Sequence, residues 1–117
     1  MLSANRDRPP RVLIVDDDVA LRRLLRAVLQ RDYVVQEAST GREALSLLRK
    51  SHPAIILLDI GMPGMDGYET CRHIRSDQRA SESQISMVSA RSSREEQLHA
   101  YECGADDYII KPFDPQD

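Results

Sequence analysis

Three kinds of chemically capable side chain stand where an apolar run gives way to polar residues. Asp16 and Asp17 follow Arg11-Val-Leu-Ile-Val15, Asp59 follows Ala54-Ile-Ile-Leu-Leu58, Ser89 ends Ile85-Ser-Met-Val-Ser89, and Lys111 follows Tyr108-Ile-Ile110. Short apolar runs bounded by Pro, Gly or charge read as strands buried on both faces. Carboxylates at the carboxyl ends of parallel strands lie where open α/β sheets hold their ligands. Three carboxylates brought together there would repel one another, so a hard divalent cation is the natural neutraliser. A lysine and a hydroxyl beside such a cation suit a phosphoryl group, whose oxygens need donors and positive charge. The spacing by itself therefore predicts a Mg2+-dependent phosphoryl site built on Asp16, Asp17, Asp59, Ser89 and Lys111.

The elements that must position these residues alternate. Leu21, Leu24, Leu25, Val28 and Leu29 recur at helical spacing after the first strand, with Arg22, Arg23 and Arg26 expected largely on the opposite, solvent face. A short strand is expected over 33–37. Thr40-Gly-Arg-Glu43 is a capping box opening a helix through Lys50, and Ser93-Arg-Glu-Glu96 opens another that Gly104 closes. Between them, a helix from Asp66 to Ser76 follows the Asp59 strand. The fourth strand, Ile85 to Ser89, reads as the weakest because Ser86 interrupts it, and Tyr108 to Lys111 forms the last. Alternation five strands deep implies a doubly wound parallel sheet with helices on both faces, and it sends every strand end to one edge. Residues 1–10 are polar, end in Pro-Pro and read as a flexible leader; the domain is expected over 11–117.

Composition excludes several functions. The 117 residues make one domain with a single core, and a net charge of −3 spread along the chain offers no nucleic-acid surface. All basic residues but Lys50 and Lys111 are arginine, a bias with no functional reading. No apolar run reaches the roughly 18 residues of a membrane span, and no signal-peptide core is present. Cys71 and Cys103 lack metal-site spacing and read as buried, reduced thiols of a cytoplasmic protein.

Taken in order, Val15-Asp-Asp17, Leu58-Asp59-Ile-Gly-Met-Pro63-Gly-Met-Asp-Gly67, Val88-Ser-Ala90 and Gly104-Ala-Asp-Asp-Tyr108-Ile-Ile-Lys-Pro-Phe113 closely resemble the receiver domain of two-component response regulators, from about Arg11 to Phe113. The resemblance implies the flavodoxin-like strand order 2-1-3-4-5. It makes Asp59 the nucleophile that accepts a phosphoryl group from a histidine kinase or phosphotransfer protein. It implies that Asp17 binds Mg2+ directly, Asp16 mainly through water, and the Gly61 carbonyl as a further ligand. Lys111 is then the phosphoryl partner, Ser89 a hydrogen-bond donor to the bound group, and Tyr108 a switch that turns inward behind it. A cis peptide between Lys111 and Pro112 is also implied.

Each residue has a plainer role as a rival. Asp18 and Asp66 read as helix N-caps. Seen alone, Lys111 and Ser89 could be solvated strand ends, and Tyr108 ordinary core. His52, His73 and His99 are scattered and no phosphate-donor role is expected of them. Gln84 stands where the family often has Pro. The chain stops at Asp117, where the family's fifth helix should begin, which leads us to expect a truncated domain whose exposed first-helix face favours self-association. Two other classes stay open: a pseudo-receiver that keeps the fold and binds partners without phosphorylation, and an Asp-nucleophile phosphohydrolase. The latter would need a lid that these connections are too short to hold.

Overall fold

The computed structural model describes residues 9–77 and 82–111. The elements run β1 (Arg11–Val15), α1 (Val19–Leu29), β2 (Val34–Ala38), α2 (Gly41–Leu48), β3 (Ile55–Asp59), α3 (Gly67–Ser76), β4 (Gln84–Ser89), α4 (Arg94–Glu102) and β5 (Asp107–Ile110). All strands are parallel, in the order β2-β1-β3-β4-β5. The doubly wound α/β sheet expected from the alternation is thus present, in the flavodoxin-like order that the resemblance implied, with four helices among the described residues.

Pleating explains the layers. Side chains alternate along β1, so Leu13 and Val15 join one apolar cluster while Val12 and Ile14 join the other. The first cluster also takes Ile56, Leu58, Ile85 and Met87 from β3 and β4, and is covered by Ala44 and Leu48 of α2, Cys71 and Ile74 of α3, and Ala100 of α4. Each of its large side chains contributes about 1.5–3 kcal/mol of transfer free energy. The second cluster is roofed by Leu25 of α1, with Leu21 and Leu29 at its margin. Leu24 and Val28 of α1 and Ile109 of β5 remain exposed.

Local chemistry sets the helix ends as the sequence implied. Thr40, Asp66 and Ser93 each accept the backbone N–H of the third residue onward, and Asp18 accepts those of Ala20 and Leu21. Such caps contribute about 1 kcal/mol each. Gly104 adopts φ 108° and closes α4.

Five readings are corrected. α2 ends at Leu48, not Lys50, and β2 begins at Val34. β4 is continuous from Gln84, with Ser86 buried between β3 and β5, because a hydroxyl that can be packed does not end a ladder held from both sides. Cys103 caps α4 rather than lying in it. Arg22 and Arg26 do not share the solvent face with Arg23; both turn to Glu37 on β2. Both cysteines are free and buried, and burial pushes the Cys71 thiol up to about 11. The Lys111–Pro112 peptide lies outside the described residues.

Candidate functional site

Strand order reverses between β1 and β3, and the crevice at the carboxyl ends of these two strands is where such sheets bind ligands. Asp16 and Asp59 stand on its two sides. Asp16 continues the sheet for one residue beyond β1, its N–H donating to the Ala38 carbonyl at 3.1 Å. It is only 3% exposed, and both carboxylate oxygens are used: one accepts the Asp18 N–H at 2.9 Å, the other the Lys111 ammonium at 3.0 Å. Asp17 points to solvent. Asp59 ends β3, is 7% exposed, and accepts the Gly61 N–H and the Lys111 ammonium, each at 3.3 Å.

The ligand oxygens of Asp16, Asp17 and Asp59 lie within 4.8 Å of one another. The Lys111 ammonium is paired with two of these three carboxylates, Asp16 and Asp59. Burial, then the charge of Asp16, raises the pKa of Asp59; Lys111 and the Gly61 N–H oppose this without cancelling it. For Lys111 burial works downward, but the hydrogen bond to Asp16 and the charges of Asp59 and Asp16 outweigh it and leave the ammonium firmly protonated. A crowded set of hard oxygen donors with surplus negative charge fits a hard divalent cation.

β4 and β5 complete the edge. The Lys111 N–H donates to the Ser89 carbonyl at 2.7 Å, which extends the β4–β5 pairing far enough to aim the lysine into the crevice. Ser89 is 4% exposed, so it is no solvated strand end; its Oγ accepts the Arg91 N–H at 3.0 Å. Tyr108 donates its hydroxyl to the Arg91 carbonyl at 2.7 Å. The Arg91 backbone is therefore gripped at both ends by the two residues expected to switch. The Arg91 side chain, which could have covered the acidic cluster, instead lies 3.5 Å from Glu96 on α4. Asp18 and Asp66 are caps, as expected.

Two contributors were not anticipated. Gly67 starts α3 directly beneath the end of β3: a Cβ there would lie 2.5 Å from the Asp59 carbonyl oxygen and 2.6 Å from the Ile60 Cα. Only glycine permits that approach. Arg22 reaches from α1 to the Asp16 carbonyl at 2.6 Å. Its sequence signal, an arginine one helical turn past an acidic run, is too common to be read without the neighbouring strand.

A family model, the response regulator receiver domain, matches residues 12–117. The chain belongs to that family. The receiver is 41% identical over 108 residues to the transcriptional regulatory protein ResD of Bacillus subtilis, covering 92% of this chain and 44% of that protein. It is 43% identical over 106 residues to the response regulator MprA of Mycolicibacterium vanbaalenii, covering 90% and 45%. It thus spans less than half the length of these curated relatives. Among solved structures, the chemotaxis protein CheY4 of Vibrio cholerae superposes with a TM-score of 0.88 at 32% identity, over 92% of this chain and 91% of that one. No helix among the described residues is long and apolar enough to cross a membrane.

Proposed function

We propose that this receiver accepts a phosphoryl group on Asp59 from the phosphohistidine of a histidine kinase or phosphotransfer protein, with Mg2+ as its cofactor, and changes conformation in response. One observation carries the reading: the Lys111 ammonium is shared between Asp16 at 3.0 Å and Asp59 at 3.3 Å, which ties the nucleophile and the acidic pair into one site. An Asp59 oxygen attacks phosphorus; the O–P bond forms as the P–N bond to the donor imidazole breaks, and the departing nitrogen takes a proton from water. Lys111 lowers the repulsion between the attacking carboxylate and the charged phosphoryl oxygens. Bound at the acidic cluster, the cation supplies further positive charge for those oxygens.

The roles that the resemblance implies within the cluster are supported by what is already occupied. Both oxygens of Asp16 have partners, so it acts mainly through water, whereas exposed Asp17 is free to ligate directly, together with Asp59 and the Gly61 carbonyl. Ser89 keeps its proton for the phosphoryl group, since its Oγ only accepts from Arg91. Tyr108 then leaves the Arg91 carbonyl and turns inward. The reading places the domain in the cytoplasm, with its cysteines reduced.

The test is intact mass after incubation with Mg2+ and acetyl phosphate or phosphoramidate. A single phosphoryl addition is expected, absent in Asp59→Asn. Mg2+ affinity is expected to fall sharply in Asp17→Asn and less in Asp16→Asn. No addition to the wild type would make the chain a pseudo-receiver, and multiple-turnover phosphate release would make it a hydrolase.

A further inference from the structure

The turn that presents Asp17 is held at four points. The Asp16 N–H is bound to Ala38, and its carboxylate to the Asp18 N–H and to Lys111. The fourth point is the Asp16 carbonyl, which belongs to the peptide group joining Asp16 to Asp17, and it accepts from Arg22 Nη1 at 2.6 Å. The Arg22 side chain is only 15% exposed, and its Nε donates to Glu37 Oε1 at 3.0 Å. Glu37 is itself fixed: its other oxygen accepts from Arg26 Nε at 2.5 Å, and Arg26 Nη2 donates to the Val35 carbonyl at 3.2 Å. A chain of charge-assisted bonds thus runs from the end of β2, through α1, to the one peptide plane that orients Asp17.

We infer that Arg22, braced by Glu37, is a positioning residue for the cation site: it fixes the Asp16–Asp17 peptide and so the direction in which the exposed Asp17 carboxylate is offered. The inference rests on the reading above, in which Asp17 is a direct ligand. The planar guanidinium suits the task, because one edge can grip Glu37 while another reaches the carbonyl. Partners of this outer kind govern ligand orientation, and losing one weakens metal binding about tenfold or more.

Charge alone argues the other way, which makes the idea testable. Removing a cation near three carboxylates should tighten Mg2+ binding, whereas loss of orientation should loosen it. The experiment titrates the metal-free chain with Mg2+ alone, by calorimetry and by the amide shift of Asp17, in wild type, Arg22→Met, Glu37→Gln and the control Arg23→Met. Arg23 is exposed on the same helix and its loss removes the same charge. About tenfold weaker binding is expected in Arg22→Met and a smaller loss in Glu37→Gln, with Arg23→Met unchanged or slightly tighter. Unchanged or tighter binding in Arg22→Met, or an equal loss in Arg23→Met, would overturn the inference. Should Arg22→Met fail to fold, Glu37→Gln decides: wild-type affinity there overturns it. A wild-type chain that binds no Mg2+ would instead bring down the cation reading, and this inference with it.

Discussion

The two edges of the sheet arrange their charge differently. At the amino-terminal edge, a polar recess is lined by Arg75, Glu82, Asp106 and Asp107. There Arg75 donates to the Gly104 carbonyl at 2.8 Å, to the Ser83 carbonyl at 2.7 Å and to the Asp106 carboxylate at 2.7 Å. Asp106 also accepts the Ile85 N–H at 2.9 Å, and Asp107 accepts from the Gln84 side chain at 2.8 Å. Those bonds join α3, β4 and β5. At the carboxyl-terminal edge Lys111 is paired with two of three clustered carboxylates, Asp16 and Asp59, and the latter is held at a raised pKa. Both edges carry more carboxylate than cation. At the first, Asp106 and Asp107 are engaged by donors on neighbouring elements and tie them together; at the second, three carboxylates crowd within 4.8 Å of one another at the sheet's switch point, which suits a cation.

The contrast is sharpest in Arg75→Ala. That substitution removes the donor from the Ser83 and Gly104 carbonyls and the cation from Asp106, and is expected to lower stability by about 2–4 kcal/mol. Mg2+ affinity and phosphoryl uptake by the folded fraction should stay at wild-type values. Urea denaturation beside a Mg2+ titration checks both. A variant that kept its stability but lost Mg2+ binding would erase the distinction between the edges.

This division also explains what could be read in advance. Asp18, Thr40, Asp66 and Ser93 were legible as caps because each acts on backbone within three residues of itself. The runs ending at Val15 and Asp59 were legible because a strand covered on both faces must be apolar throughout. Arg22 was not, since its partner Glu37 lies fifteen residues away on a strand whose register no local pattern reveals. Ser86 misled because hydropathy cannot distinguish a buried hydroxyl from a strand break. Gly67 was legible as the start of a helix, but only the closeness of α3 to the Asp59 backbone shows why no side chain fits there.

A smaller effect is expected at the carboxyl-terminal edge itself. Because burial and Asp16 raise the pKa of Asp59, the folded chain holds that proton to higher pH than the unfolded chain does. Between the ordinary carboxylate value and the raised one the native state binds more protons, so stability falls as pH rises through this window. Glu37 works in the reverse sense: Arg26, with Arg22, lowers its pKa, so its contribution is present above the ordinary value and lost as pH falls through the lowered one. Comparing wild type with Asp59→Asn isolates the first effect, since Glu37 is common to both. The metal-free variant is expected to be more stable on the order of 1 kcal/mol at neutral pH. Saturating Mg2+ should narrow or reverse the gap. Equal melting temperatures for the two metal-free proteins across the carboxylate range would mean that the surplus charge costs nothing.

The smallest expected effect concerns access. Gly61 is exposed and a Cβ there would meet nothing within 4 Å, so the approach to Asp59 on that side is open to water. Arg91, on the far side, would have been the obvious shield, but its guanidinium is turned to Glu96 and its backbone is what Ser89 and Tyr108 hold. Water attacking an aspartyl phosphate must therefore pass Gly61 more easily than it is blocked by Arg91. A long side chain at Gly61 can lie across the opening without displacing any neighbour, and a cation there also pairs with the phosphoryl oxygens. Gly61→Arg is expected to slow dephosphorylation about threefold to fivefold, less than about 1 kcal/mol in barrier. Arg91→Ala keeps both backbone contacts and should leave the decay unchanged. Following loss of the phosphoryl mass with time after removal of the donor measures both. Faster decay in Arg91→Ala would show that its side chain leaves Glu96 and covers the site once the phosphoryl group is bound.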